Sequence, residues 1–451
     1  MSHFVEANRD QPFLLPPDLR EWVPADDLAH FVLEAVERVD IRHFRVNERG
    51  SGSPQYPPRL LLALLIYGYA NGIFSSRRIE RATYRDLGVR YLAANTHPDH
   101  DTICKFRREN EAAIAETFLQ VLLLARELKL LKVGTVSVDG TKLDANASLH
   151  KSVRYDRAGQ LVTQLQGEIA ERLAQAEAAD AGGEVDPQAL PSEIARREAL
   201  RAKLDAARSR LEAQAAARAA AEQAEYEAKV AARDARSGRA QGKRPKPPST
   251  TPEDDAQSNL TDPDSRIVRK NKRAEYRQGY NAQAVVDADG SYLILGARVS
   301  QCASDRNELA ADIAAIPAAV GTPTTALADN GYATEAEVET LEGQGIDVLV
   351  ATGRPARRRH DFRPDREAKS PKVAQAAWLT RMQAKLETPE GRARYRLRQQ
   401  TVEPVFGIVK GVLGFTQFLL RGKKKVSLEW LLVSTAYNCQ RVHRMKWAAA
   451  S

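Results

Sequence analysis

The sequence predicts an α/β protein in which a helical N-terminal domain, residues 1–130, precedes a mixed sheet with helices packed on it, residues 131–451. Three patterns lead there. Residues 26–130 repeat apolar side chains at three- and four-residue steps between helix caps. In the second part, short β-branched runs end at Asp-Gly or Asp-Asn-Gly signals, with helix-length segments between them. Residues 151–258 interrupt that alternation with a charged, alanine-rich stretch that has a helical period of its own.

Composition bounds the function classes. The 451 residues carry 67 Lys and Arg against 59 Asp and Glu, a formal charge of +8, and the pI is near 9.3. That balance favours polyanionic partners, although a basic surface alone does not select nucleic acid. With 43% hydrophobic residues, the chain can bury one or two substantial cores. Cys104, Cys302 and Cys439 are scattered and odd in number, which suggests neither a disulfide framework nor a zinc site and suits a reducing cytoplasm. The N-terminus lacks a signal-like apolar core, and no apolar run reaches the ~20 residues that span a bilayer, so a soluble protein without a membrane partner is expected.

In order, Asp26 or Asp27 caps a helix running to about Asp40, with Leu28, Phe31, Val32, Ala35, Val36 and Val39 on one face. Pro57 and Pro58 open an apolar helix to Ala70, and Ser75-Ser76 starts another containing Arg77, Arg78 and Arg81. Asp101-Thr102 begins a longer helix that includes Lys105, Arg107 and Arg108 and continues through LQVLLLARELKL. Short helices with clustered arginines suit a helix-turn-helix that enters a major groove, and equally a helical domain with a solvated basic face. His97 and His100 flank Asp99; a turn before a helix cap accounts for them without a metal, since no further ligand is suitably spaced.

Val133, Val136 and Val138 mark a first strand ending at Asp139-Gly140, a pair that also suits a hairpin turn. The insertion follows. Leu165, Ile169 and Leu173, then Leu200, Leu204, Ala207, Leu211 and Ala215, form the seam of an antiparallel helical hairpin, with Ser192 capping the second limb. It decays into RSGRAQGKRPKPPSTTPEDD, a linker composition. Strands at 280–286 and 292–299 flank an Asp-Gly turn, and Ser304 or Asp305 caps a helix that stops near Ala315. A strand from Thr324 to Ala328 leads into Asp329-Asn330-Gly331, a helix runs from Ala333 to Glu342, and a last strand spans Ile346 to Ala351. A basic insertion, 352–394, contains Arg357, Arg358 and Arg359, suited to phosphate contact. Without the insertions, the element order matches an RNase H-like core.

Two strand-end aspartates, Asp139 and Asp329, and a glutamate in a basic helical run, Glu403, can converge on a pair of divalent cations. Pro404 argues that a helix starts there, and Lys410, seven residues after Glu403, would face the same way. Asp144, Asp262, Asp264, Asp287 and Asp289 read as turn or opposite-face carboxylates, and His360 and His443 as surface residues.

The blocks YPPRLLLALLIYGYANGIFSSRRIERATY, HPDHDTICKFRR, VSVDGTKLDANAS, NLTDPDSR, GYNAQAVVDADG, ADNGY and TVEPVFGIVKGVLGFTQFLLRG, in this order, resemble a DDE-type bacterial insertion-sequence transposase of the group with a tyrosine, arginine, glutamate and lysine signature. The resemblance implies Asp139, Asp329 and Glu403 as catalytic, metal-holding acids for two Mg2+ ions, with Mn2+ as substitute. Tyr395, Arg398, Glu403 and Lys410 fall at the signature positions, but Arg398 lies five residues before the glutamate, one more than the stricter pattern. It also implies that Arg77, Arg78, Lys105, Arg107, Arg108 and Arg357 to Arg359 contact double-stranded DNA, that the chain pairs as a homodimer on element ends, and that it works at the nucleoid in the bacterial cytoplasm. A nuclease without strand transfer and a catalytically inactive repressor are the alternatives.

Overall fold

A computed structural model describes residues 18–46, 54–180, 189–235, 244–269, 274–352 and 376–450. Contacts divide the chain into two units: Met1–Leu143 with Asn281–Leu420 and Lys424–Ser451, and Asp144–Tyr280 with Arg421–Lys423.

The first unit is built on a mixed sheet. Its strands are β1 (Thr135–Asp144), β2 (Arg277–Asp287), β3 (Ile294–Ser300), β4 (Thr325–Ala328) and β5 (Asp347–Val350), in the order β3–β2–β1–β4–β5. β2 and β3 form the antiparallel hairpin that the Asp-Gly signal predicts; Gly290 takes φ +115 in the turn, and Asp287 Oδ2 accepts from the Ser291 amide at 3.0 Å and hydroxyl at 2.6 Å. β4 runs parallel to both β1 and β5, with Thr135 beside Thr325 and Thr325 beside Asp347. All four β4 residues are buried, as a strand covered on both faces requires. The helix expected from residue 304 or 305 is cut to Leu309–Ile313. Asp305 and Glu308 are engaged elsewhere, by Asn281 and Gln283 and by Ser300 and Arg298, and neither caps it.

The N-terminal helices are Leu28–Glu37, Pro58–Ala70, Ser76–Arg85, Leu87–Leu92, His100–Glu109 and Glu111–Glu127. Asp27 and Asp99 cap two of them, accepting from Ala29 N and Thr102 N at 2.8 Å each. The single long helix expected from residue 101 onward is broken at buried Asn110, whose side chain donates to Phe106 O at 3.0 Å and accepts from Arg45 N at 2.7 Å. Leu61 to Ala70 are wholly buried, so the Pro58–Ala70 helix is the spine of this cluster.

The C-terminal helix Lys423–Ala450 ties helices and sheet together. Trp430 Nε1 donates to Gln283 O at 2.8 Å, and the Asn438 amide pairs with Ile294 N and O at 2.9 and 2.8 Å, replacing a strand neighbour for β3. Glu429 is fully buried and accepts from Leu419 N, Leu420 N and the Tyr69 hydroxyl at 2.9, 3.0 and 3.1 Å.

The second unit holds the helical hairpin, Tyr155–Asp180 and Ala189–Asp234. Leu165, Ile169, Leu204, Ala207, Leu211 and Ala215 are buried along its seam, whereas Leu173 and Leu200 are 48% and 42% exposed. The second limb begins three residues before the expected Ser192 cap. Short strands Ser152–Arg154 and Gln257–Asn259 pair antiparallel, and Arg266–Val268 pairs with the first residues of β2. Among the described residues no helix is long and apolar enough to cross a membrane.

Candidate active site

Asp139 sits inside β1 and not at its end, because the strand continues through Gly140 to Asp144 and the Asp-Gly pair makes no turn. Asp329 follows β4 directly. The parallel register sets Ser137 beside Leu327, so two residues further along each chain Asp139 is level with Asp329 and points to the same side. Asp139 Oδ1 accepts from Gly140 N at 2.8 Å, and Asp329 Oδ1 from Gly331 N at 2.7 Å. Burial pushes the Asp139 carboxyl up to about 6; the Gly140 amide and Arg398 oppose this, and the negative charges of Asp329 and Asp305 add to it.

Glu403 arrives on the helix Pro389–Gly407. A helix start at Pro404 is not observed: Thr388 caps the helix, accepting from Gly391 N at 2.9 Å, and Pro404 lies within it. Proline there cannot donate to the preceding turn, and a π-helical turn, Ile408–Val412, follows. That turn breaks the seven-residue phase, yet Lys410 still reaches the Asp139 side of β1, donating to the Thr141 hydroxyl and, at 3.1 Å, to Lys142 O.

Arg398 joins the distant pieces. Its Nη1 is 3.6 Å from Asp139 Oδ2 and its Nη2 3.6 Å from Glu403 Oε1. The extra residue in its spacing does not take it out of reach. One turn earlier, the Tyr395 hydroxyl donates to Ala328 O at 3.1 Å, pinning the helix to the end of β4. Asp139 is 20% exposed at its side chain and Glu403 57%, so one acid is set in the floor and the other on the rim. Among the described residues no three His, Cys, Asp or Glu side chains stand close enough to hold an ion together, and the Arg398 guanidinium separates Asp139 from Glu403. The donor set itself is all oxygen and suits a hard divalent cation, and mutual repulsion between Asp139 and Asp329 favours one.

The other candidate residues separate. Arg77 and Arg78 are exposed on the helix Ser76–Arg85, where Arg81, Arg85 and the 59% exposed Tyr84 share their face; Lys105 and Arg108 are exposed too. Arg107 is not on that surface. It is buried, donating to the Tyr69 hydroxyl at 2.8 Å and Phe74 O at 3.2 Å, with Glu429 at 4.0 Å. Its helix turns it toward the core, where an arginine must be paired. Arg357, Arg358 and Arg359 lie outside the described residues. His97 stacks on Tyr84 at 3.7 Å and His100 lies 3.0 Å from Glu80. Asp305, Asn281 and Gln283 surround the back of Gly140, with Lys142 Nζ 3.7 Å from Asp305, and only Asp305 among them carried any signal in the sequence, that of a helix cap.

A six-stranded mixed sheet, Arg266–Val268 included, with Asp139 in β1 and Asp329 directly after the neighbouring β4, and Glu403 brought in by a C-terminal helix, has the arrangement of an RNase H-like core. The family comparison is specific: residues 234–439 match the transposase DDE domain, and residues 17–109 match a transposase domain, DUF772. The chain is an insertion-sequence DDE transposase. The DDE match contains Asp329 and Glu403, and Asp139 joins them through β1, ahead of it. Neither a curated protein nor a solved structure matches the chain.

Proposed function

We propose that this DNA transposase binds the terminal inverted repeats of its element, cleaves phosphodiester bonds at the ends and transfers the 3′ ends to target DNA. The observation that carries the reading is Arg398, within 3.6 Å of both Asp139 and Glu403, with Asp329 level with Asp139. Asp139, Asp329 and Glu403 would hold the divalent ions, Mg2+ or Mn2+. Such ions, when bound, supply the Lewis acidity that activates the attacking oxygen and stabilises the leaving 3′ oxygen. The chain's own cations do the rest. Arg398 presents a planar fork suited to a phosphate, and Lys410 a point charge held against β1. Tyr395 sets the angle of the helix that carries both Arg398 and Glu403. These four residues support membership of the group with the Tyr-Arg-Glu-Lys signature.

Residues 1–130 are assigned to binding the repeats, through Arg77, Arg78, Lys105 and Arg108, and residues 131–451 to catalysis. Two chains would act on paired ends, at the nucleoid in the bacterial cytoplasm. The test incubates the protein with labelled element ends, Mg2+ and a plasmid. Joined products abolished by Asp139→Asn are expected. Cleavage without joining points to a nuclease, and bound but uncut DNA to a repressor; either result overturns the proposal.

A further inference from the structure

The helix Ser76–Arg85 exposes Arg77, Arg78, Arg81, Tyr84 and Arg85 and buries Ile79, Ala82 and Thr83. At about 100° per residue, the five exposed side chains fall within an arc of about 120°. Among the described residues none of the four arginines forms an ion pair. The acids nearest to them in sequence are turned away: Glu80 lies 3.0 Å from His100, and Asp86 accepts from Val89 N at 2.8 Å. A cationic stripe of this kind suits a polyanion, but it does not account for an aromatic ring left in the open beside it.

That ring is held without being hidden. Tyr84 stacks on His97 with ring centroids 3.7 Å apart and planes 12° from parallel, yet it stays 59% exposed. His97 is fixed in turn by buried Thr83, whose hydroxyl donates to Glu80 O at 2.7 Å and so accepts from His97 Nδ1 at 2.9 Å. The imidazole covers one face of the phenol ring and leaves the other open. A side chain that wedges between base pairs needs both of its faces, and Tyr84 has only one to offer. A ring already fixed and open on one side can instead pack on an apolar group at little further cost in side-chain freedom. In the major groove, which admits an α-helix, the apolar group on the base edges is the 5-methyl of thymine.

We propose that the open face of Tyr84, backed by His97, packs on the 5-methyl of a thymine in the repeat DNA, so that this ring reads sequence while the four arginines hold phosphates. This rests on the reading of residues 1–130 as the repeat-binding domain. Gel shifts with the full-length protein compare a duplex of the element end with the same duplex carrying deoxyuridine for every thymine. The swap deletes only methyl groups. Burying one methyl is worth about fourfold in affinity, so Tyr84→Ala should lose about fourfold less than the wild type on that swap. Its salt slope on thymine DNA should match the wild type's, since no phosphate contact is removed. Tyr84→Phe keeps the ring and should keep the wild-type discrimination. Equal losses for the wild type and Tyr84→Ala overturn the proposal, and so does a Tyr84→Phe variant that behaves like Tyr84→Ala, which assigns the hydroxyl and not the ring face; both leave repeat binding itself intact. Single deoxyuridine substitutions, read with the wild type, need no variant to fold. One position should cost about fourfold, and a series in which none does overturns the proposal. If the wild type does not bind the end duplex at all, the assignment of residues 1–130 falls with it.

Discussion

A carboxylate inside a strand is a burden that Asp139 makes visible. Its carboxyl is raised from 3.8 to about 6, so the folded chain holds this proton more tightly than the unfolded chain does. Its contribution to stability is fully present below about pH 4 and is lost as the pH rises through about 6. Asp139→Asn should therefore melt higher than the wild type at pH 8 in metal-free buffer, by about 1–3 kcal/mol, and lose that advantage at pH 4, while cutting no DNA. Calorimetry at the two pH values checks it; a variant that melts lower at pH 8 contradicts the account. Gly140→Ala should act in the opposite direction. The new methyl would meet Asp305 Oδ1, Gln283 Nε2 and Asn281 Oδ1 at 2.5, 2.6 and 2.8 Å, and a loss of about 1–3 kcal/mol is expected in denaturant titration, together with loss of cleavage. Asp139 and Asp329 were legible because β-branched or apolar runs lead into Asp-Gly and Asp-Asn-Gly. Asp305 was not, since Ser-Asp before an apolar segment reads as a cap, and only folding brings β2 amides to it.

Within elements, two arginine sets that look alike in sequence are sorted by helix phase. Arg77 and Arg78 lie on the exposed side of Ser76–Arg85, whereas Arg107 faces the core beside Glu429. Arg77→Ala with Arg78→Ala should lower affinity for repeat DNA and flatten its salt dependence by about 0.9 per lost phosphate contact, with no change in melting. Arg107→Ala should instead destabilise the protein by about 3–5 kcal/mol, because it leaves Glu429 buried without its cation. Gel shifts across a salt series and thermal melts separate the two outcomes; an Arg107→Ala variant that melts normally yet binds DNA poorly would restore it to the surface set. Apolar periodicity found the helices at 28–37, 58–70 and 76–85 to within a few residues. It missed the break at Asn110 and misplaced the start of the Glu403 helix, because a side chain competing for backbone and a proline tolerated inside a helix both depend on tertiary neighbours.

At the scale of the whole molecule, Asp139 and Asp329 are 190 residues apart in sequence, yet β1 and β4 are hydrogen-bonded neighbours. The element order was legible as that of an RNase H-like core, and the adjacency of these two strands was what the family resemblance implied. The hairpin was legible from its leucine and alanine spacing. What sequence could not supply was the reach of Arg398, which depends on how the Pro389–Gly407 helix lies on β4. If the site assembles on paired ends, light scattering of the protein with repeat DNA should report two chains and two DNA ends in one complex, and a complex of a single chain with a single end would contradict it.

The Lys423–Ala450 helix has a consequence for synthesis. Glu429 is the acid beside the buried Arg107, and Gln440 Nε2 donates to Ala70 O at 2.6 Å. Arg107 is thus translated more than three hundred residues before its counter-charge. A copy of the gene stopped before codon 429 would leave that arginine unmatched, so a shortened product would be prey for proteases before it could act as a dominant inhibitor of the intact one.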